Sequence, residues 1–170
     1  DNLLDAYLDA LSCDNVSAFG GILTSNQTID IKVAEQINKL FFEVLIAPNF
    51  SESALDLLKS KKNRIIIKLK SYPTNKLQTR SCLNGILEQD IDDKIEKFDD
   101  FKVVTKISPN SAKSDDLVLA SIIVKHTKSN CIAIVKNKQL IGSGMGQVSR
   151  IDALNQAIQK SKKFGFDLNE

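Results

Sequence analysis

Short apolar runs that alternate with helical patterns are the feature that most constrains the fold of this chain. Val44 to Ala47 form an apolar run stopped by Pro48, which predicts a strand buried on both faces, and Ile65 to Ile67 predict another. Helical patterns precede both runs, with Asp30 and Ser51 as expected N-caps. Alternating strands and helices with short links predict an α/β layer architecture.

A second α/β unit is predicted after an acidic stretch. Its expected elements are a strand at Val103-Val104, a helix over 115–128, paired strands over 131–135 and 140–141 around a turn at Asn137, and a helix from Ile151. The long helix is expected to turn Leu117, Ala120, Ile123 and Val124 inward. Ser149 with Asp152 has capping-box spacing, and Gly165 suits a helix end. We therefore divide the chain into a first unit at 1–87, an acidic linker at 88–101 and a second unit at 102–170.

Composition excludes several classes of protein. The net charge is only +2, so no global field recruits nucleic acid or an anionic membrane. The longest apolar stretch, Leu117 to Val124, is far below the ~18 residues of a membrane span. Three cysteines without a CxxC pair and a single histidine suggest neither a disulfide framework nor a usual metal site. The acidic stretch lacks the spacing of a calcium loop, and we interpret it as solvated. We expect a cytoplasmic protein without a membrane partner.

A glycine-rich segment from Gly142 to Gly146 runs into the last helix. Glycines admit close approach by a ligand, and a helix N-terminus favours an anion, which Arg150 would hold by bidentate contact. A dinucleotide fingerprint would require glycine at Gln147. A tight strand-to-helix turn explains the segment equally well, and a non-catalytic nucleotide-binding module remains the alternative function.

Two basic clusters allow further interpretations. Lys125-His126 has the residue types for proton transfer, although cations also suit the end of a helix. The basic stretch from Lys59 to Lys70 would suit a nucleic-acid binder, but it lacks interleaved aromatic residues. We therefore expect no nucleic-acid partner.

Five sequence blocks, taken together, resemble one enzyme family. They are CDNVSAFGGI at 13–22, FEVLIAP at 42–48, KKN at 61–63, KHTKSNC at 125–131 and IGSGMGQVSR at 141–150. In this order and spacing they are similar to the transformylase half of the bifunctional purine biosynthesis family. That half is phosphoribosylaminoimidazolecarboxamide formyltransferase (AICAR transformylase), usually fused to an IMP cyclohydrolase domain.

The resemblance implies fold, reaction and partners. It implies cytidine-deaminase-like α/β/α layers, here as parts of two tandem subdomains. The implied reaction transfers a formyl group from 10-formyltetrahydrofolate to 5-aminoimidazole-4-carboxamide ribonucleotide in IMP synthesis. The implied assembly is a homodimer with a shared active site, without a catalytic metal but with room for a structural monovalent cation.

The resemblance also assigns roles residue by residue. Gly20 would let the backbone approach the nucleotide, and Glu43, where some members have Asp, would meet its ribose or carboxamide. Asn130 would bind the carboxamide and orient the amine for attack, which makes it the implied catalytic residue of this chain. Arg150 would hold the same nucleotide, and Ile151 would line the folate side.

The resemblance further places the family's catalytic Lys-His pair before Asp1, and a folate-holding block after Glu170. Lys125-His126 falls on the KSN block instead of the catalytic motif. We therefore expect a central segment of the enzyme that is inactive alone.

Overall fold

The computed structural model describes residues 2–72, 74–110 and 113–168. Helices and strands alternate over the first part of the chain, a hairpin follows, and a second hairpin lies between the last two helices. The helices are α1 (Leu3–Ser12), α2 (Ile31–Ile37), α3 (Glu52–Lys59), α4 (Ser114–Lys125) and α5 (Arg150–Lys163). The strands are β1 (Gly21–Thr24), β2 (Phe42–Ala47), β3 (Ile65–Lys68), β4 (Leu77–Cys82), β5 (Gly85–Asp90), β6 (Ile132–Lys136) and β7 (Gln139–Gly144). The mixed α/β class predicted from the sequence is confirmed.

The first unit is a parallel sheet in the order β1-β2-β3. The predicted caps hold its helices, because Asp30 accepts the N–H of Val33 at 2.9 Å and Ser51 accepts the N–H of Ala54 at 3.3 Å. Each cap ends one extended segment and starts the helix that leads to the next strand.

The main core lies between this sheet and helices α2 and α3. Its buried members are Ile29, Val33, Ala34, Ile37, Phe42, Leu45, Ala47, Ala54 and Leu58. On β2, Leu45 and Ala47 are buried, whereas Val44 and Ile46 are only partly so. The predicted burial on both faces is therefore only partial, since Phe42 on the face of Val44 and Ile46 is buried but those two residues keep part of their surface exposed.

Strands β4 and β5 form an antiparallel hairpin that is exposed along its whole length. Its turn is formed by Leu83 and Asn84, and Gly85 opens β5. Glu88 pairs with Thr79, and Asp90 with Leu77, so the acidic stretch begins inside β5 and continues as loop and a 3₁₀ turn at Phe98–Asp100. The division of the chain into 1–87, 88–101 and 102–170 stays a prediction.

The strand predicted at Val103-Val104 is wrong. Both residues are exposed, and no strand in the described ranges pairs with them, because β6 and β7 pair with each other. An extended segment without a partner forms no ladder.

Helix α4 differs from its prediction in length and in phase. It ends at Lys125, with His126 as C-cap. Leu117 and Val124 are each 37% exposed instead of inward, whereas Ala120 and Ile123 are partly buried. The buried residue is Asp116, whose carboxylate accepts the N–H groups of Asn137 at 3.1 Å and Lys138 at 2.6 Å. These bonds fix the helix against the β6–β7 turn and set which face points inward.

The last β-hairpin and helix follow the predictions closely. Asn137 and Lys138 both have positive φ, as a two-residue turn between antiparallel strands requires. Gly165, at φ +82°, follows α5, and the N–H of Phe166 donates to the carbonyl of Ser161. This pattern is the Schellman termination expected at that glycine.

Candidate functional site

Asn130 joins the segment before β6 to the loop before α5. Its backbone exchanges hydrogen bonds with Gln147, at 3.1 and 3.3 Å. Its side-chain Nδ2 donates to the carbonyls of Gln147 at 3.0 Å and Val148 at 3.2 Å. Since both amide hydrogens are used by the loop, the Oδ1 atom is the part of this side chain that is left to meet a ligand. The structure thus brings Asn130 to the segment that precedes Arg150.

The start of α5 is a capped helix N-terminus. The N–H of Asp152 donates to Ser149 Oγ at 3.0 Å, and that hydroxyl donates to the Asp152 carboxylate at 2.7 Å. Arg150 and Ile151 are the first helical residues and both are exposed. Free N–H groups and the helix dipole give this end a partial positive charge, to which Arg150 adds a full one. The Asp152 carboxylate at the same end offsets the charge of Arg150, so the groups here that suit an anion are the exposed Arg150 side chain and the free N–H groups.

The glycine-rich segment is not the turn that the sequence suggested. Gly142 and Gly144 lie inside β7, where α5 packs directly on the strand. A Cβ on Gly142 would stand 2.5 Å from the carbonyl oxygen of Ala157, and one on Gly144 would overlap the carbonyl of Ala153. These two glycines therefore serve contact between helix and strand. Only Gly146, at φ +65°, is a loop glycine, so the alternative nucleotide module loses its main support.

Gly20 and Glu43 lie together at the amino ends of β1 and β2. The N–H of Gly20, at φ +74°, donates to the carbonyl of Phe41 at 2.9 Å. Glu43 is exposed on β2, two residues further on. The rings of Phe19 and Phe41 pack 4.9 Å apart, and Phe19 is 71% exposed. An exposed aromatic pair beside a glycine is a signal that the sequence reading missed.

The two groups of predicted site residues stay apart. Within the described ranges, no hydrogen bond or ion pair joins Gly20 or Glu43 to Asn130 or Arg150. An apolar cavity of about 770 Å³ lies between α1, β1 and α4, and its lining includes none of these four residues. One shared pocket therefore remains a prediction.

Lys125 and His126 occupy a helix end. Lys125 Nζ lies 3.0 Å from the Asp92 carboxylate and also donates to the carbonyl of Lys94. His126 is exposed and its N–H donates to the carbonyls of Ile122 and Ile123. The arrangement agrees with residues that terminate α4.

The basic stretch from Lys59 to Lys70 divides into two kinds of residue. Its lysines are exposed, whereas the Arg64 guanidinium lies 4.3 Å from the centre of the Phe42 ring and donates to Asn38 Oδ1 at 2.7 Å. Burial lowers the pKa of Arg64. Arg64 therefore ties α2 to β2 and is withdrawn from the exposed basic surface.

Asp14 and Lys160, which the sequence reading also missed, connect the two ends of the chain. Lys160 Nζ lies 2.9 Å from Asp14 Oδ2, and the same carboxylate accepts the N–H and hydroxyl of Ser17. Burial acts to raise the pKa of the Asp14 carboxyl, but the hydrogen bonds from Lys160 and Ser17 outweigh it. The pKa falls from 3.8 to about 2.

This low pKa predicts a pH dependence of stability. Asp14 stabilises the fold fully above its unfolded pKa, and the contribution is lost as the pH falls from about 5 towards 2. We expect Asp14→Asn to lower the free energy of unfolding by about 1–2 kcal/mol at pH 6, and the difference to shrink below pH 4. Urea unfolding at several pH values measures it. Asp115→Asn, which breaks an exposed pair with Lys138, is the control. A constant difference down to pH 2.5 would contradict the assignment.

No helix within the described ranges is long and apolar enough to cross a membrane. The same ranges contain no group of three or more His, Cys, Asp or Glu side chains arranged to hold a metal ion.

Comparison with known proteins defines the class of the chain. A sequence model of the AICARFT/IMPCHase bienzyme family matches residues 1–160. The chain belongs to this family of bifunctional purine biosynthesis enzymes.

Individual relatives are bifunctional purine biosynthesis proteins as well. The chain is 53% identical over 167 residues to the bifunctional purine biosynthesis protein PurH of Bacteroides thetaiotaomicron, covering 98% of this chain and 33% of the relative. It is 43% identical to PurH of Chlorobium phaeobacteroides over 99% of the chain and 32% of the relative. It is 42% identical to PurH of Aquifex aeolicus over 96% of the chain and 32% of the relative. The chain thus spans about a third of the length of these relatives.

Proposed function

We propose that this chain carries the nucleotide-binding part of a formyltransferase site. The reaction transfers a formyl group from 10-formyltetrahydrofolate to 5-aminoimidazole-4-carboxamide ribonucleotide. The observation that carries the proposal is the Asn130 bridge, which fixes the loop before α5 and leaves Oδ1 of Asn130 beside the exposed start of that helix. Membership of the purine biosynthesis family supports it.

The chemistry explains why these residue types are needed. In the transfer, the amine nitrogen bonds to the formyl carbon and loses a proton, while the bond from that carbon to the folate nitrogen breaks and the folate nitrogen gains a proton. The amine is a weak nucleophile because its lone pair is delocalised into the imidazole ring. Orientation and polarised hydrogen bonds must therefore supply much of the rate.

Each residue has a proposed task. Asn130 Oδ1 accepts a hydrogen bond from the carboxamide and so orients the neighbouring amine. Arg150 donates charge-assisted hydrogen bonds to the same nucleotide. Gly20 admits the nucleotide against its backbone, and Glu43 accepts from the ribose or carboxamide. Ile151, which is 65% exposed, offers an apolar surface to the folate.

Two halves of the site come from different α/β units. Gly20 and Glu43 lie at the amino ends of β1 and β2, while Asn130 and Arg150 flank the loop before α5. We propose that a homodimer completes the pocket, so that the two halves meet the same nucleotide from different sides. The general base is proposed to lie outside this chain, since His126 ends α4 and is exposed.

The test compares the 170-residue chain with the complete product of its gene. We expect the complete product to transfer the formyl group and the 170-residue chain alone to show no turnover. His126→Ala in the complete product should leave kcat within a few-fold, an effect of roughly 1 kcal/mol or less. Transfer by the isolated chain, or a loss near a thousandfold (about 4 kcal/mol) in His126→Ala, would contradict this account.

A further inference from the structure

The ion pair between Asp14 and Lys160 connects two distant segments of the chain and is partly buried. It joins residues 146 positions apart, and its side chains are 17% and 32% exposed, respectively. The exposed pair of Lys138 and Asp115 has the same length, 2.9 Å, but its side chains are 61% and 63% exposed. The two pairs differ in burial and in what they connect.

On one side, the pair orders the loop that ends at Gly20. Asp14 Oδ1 accepts the N–H of Ser17 at 2.9 Å, and Oδ2 accepts its hydroxyl at 2.8 Å. The loop then closes on itself, because the N–H of Gly21 donates to the carbonyl of Ala18 at 3.0 Å. The Asp14 carboxylate therefore fixes the start of the loop, while Gly20 at its end is also held by the bond from its N–H to the carbonyl of Phe41.

On the other side, the pair holds Lys160, which belongs to α5, the helix that begins with Arg150. Ten residues of helix, about 15 Å, separate Arg150 from Lys160. The helix cannot slide along β7, since Gly142 and Gly144 meet the backbone of Ala157 and Ala153 directly. Because α5 is held on β7 in this way, the bond from Lys160 ties the Asp14 loop to the same rigid helix that begins with Arg150.

Stability alone does not require charges at these positions. A partly buried ion pair contributes little more than two apolar side chains of similar size, because both ions lose water. Unlike an apolar contact, the ion pair fixes the relative orientation of its partners, since the Asp14 carboxylate accepts three hydrogen bonds of defined geometry. A second contact, from Gln139 Nε2 to the carbonyl of Asp9 at 2.8 Å, already helps to hold the two units together.

We propose that Asp14 and Lys160 are positioning residues for the ribonucleotide site. They fix the Gly20 loop relative to the N-terminus of α5, so that the backbone at Gly20 and the guanidinium of Arg150 keep the spacing that the nucleotide needs. The inference rests on the proposed function. Where the two halves of a pocket come from different subunits, the pair fixes each half within its own chain, and the dimer interface sets the rest of the spacing.

The experiment measures binding of the ribonucleotide by calorimetry to the complete gene product and its variants. Lys160→Met keeps the aliphatic stem, and Asp14→Asn keeps one of the two oxygen acceptors that Ser17 uses. Circular dichroism first shows that each variant is folded at the temperature used, and Lys160→Gln replaces Lys160→Met if that variant does not fold. Lys160→Arg is the conservative variant, and Lys138→Met is the matched control at the exposed pair.

We expect Lys160→Met and Asp14→Asn each to weaken binding by about 5- to 20-fold, with the double variant no weaker than the worse single variant. Lys160→Arg should restore affinity to within about twofold, and Lys138→Met should not change it. Folded variants that lose unfolding free energy but bind the nucleotide normally would overturn the inference and leave the proposed function standing. A wild-type product that binds no ribonucleotide would overturn the proposed function itself.

Discussion

Gly144→Ala is expected to destabilise the fold by about 3 kcal/mol or more, the upper end of what overpacking costs. The new methyl group would overlap the backbone carbonyl of Ala153, which is buried in the contact between α5 and β7. A flexible side chain could rotate away from such a clash, but a helix carbonyl cannot move without displacing the whole helix. Helix α5 must lift from the strand, and Arg150 moves with it. Urea unfolding measures the loss of free energy.

Gly85→Ala is the matched control for this substitution. Gly85 is also a strand glycine, but a Cβ there would meet only the carbonyl oxygen of Cys82 at an ordinary 3.8 Å. Its unfolding free energy should stay within about 0.5 kcal/mol of the wild type. If Gly144→Ala proved as stable as Gly85→Ala, the close contact between α5 and β7 would be wrong.

Arg150→Ala in the complete gene product is expected to weaken ribonucleotide binding by roughly 1.5–3 kcal/mol, the usual size for a hydrogen bond to a charged group. This corresponds to a dissociation constant about 10- to 150-fold higher. The fold should change little, because the Ser149 cap of α5 does not involve the Arg150 side chain. Calorimetric titration with the ribonucleotide measures the change.

Lys162→Ala separates a local contact from a general effect of charge. Lys162 is an exposed cation on the same helix, in its last turn, and no role in the site is proposed for it. We expect its substitution to leave the affinity within about twofold, since an exposed charge at that distance is screened by solvent and salt. If Arg150→Ala and Lys162→Ala lost the same amount of affinity, Arg150 would act only through the net charge of the protein and not through a contact with the nucleotide.

Local signals in the sequence predicted much of the fold. Asp30, Ser51 and Ser149 cap the helices expected of them, and Gly165 ends α5. Such features depend on residues three or four positions apart, so one stretch of sequence contains the whole interaction. The approach of Asn130 to the loop before α5 was also predictable, because both segments flank the two paired strands β6 and β7.

Other features depend on partners that are distant in sequence. The apolar residues of α4 are so frequent that periodicity cannot select a face, and the buried Asp116 is explained only by the turn it binds. A glycine-rich segment before a helix looks the same in sequence whether its glycines admit a ligand or allow a helix and a strand to pack closely. The pairing of Asp14 with Lys160 has no local signature at all. These are the points at which the sequence reading failed.

The most direct test of the central claim is a crystal structure of the complete gene product with bound 5-aminoimidazole-4-carboxamide ribonucleotide. The account predicts that the carboxamide lies within hydrogen-bond distance of Asn130 Oδ1, with Arg150 donating to the same nucleotide and the Gly20 backbone against it. A nucleotide bound elsewhere, with Asn130 and Arg150 both free of ligand, would contradict the account.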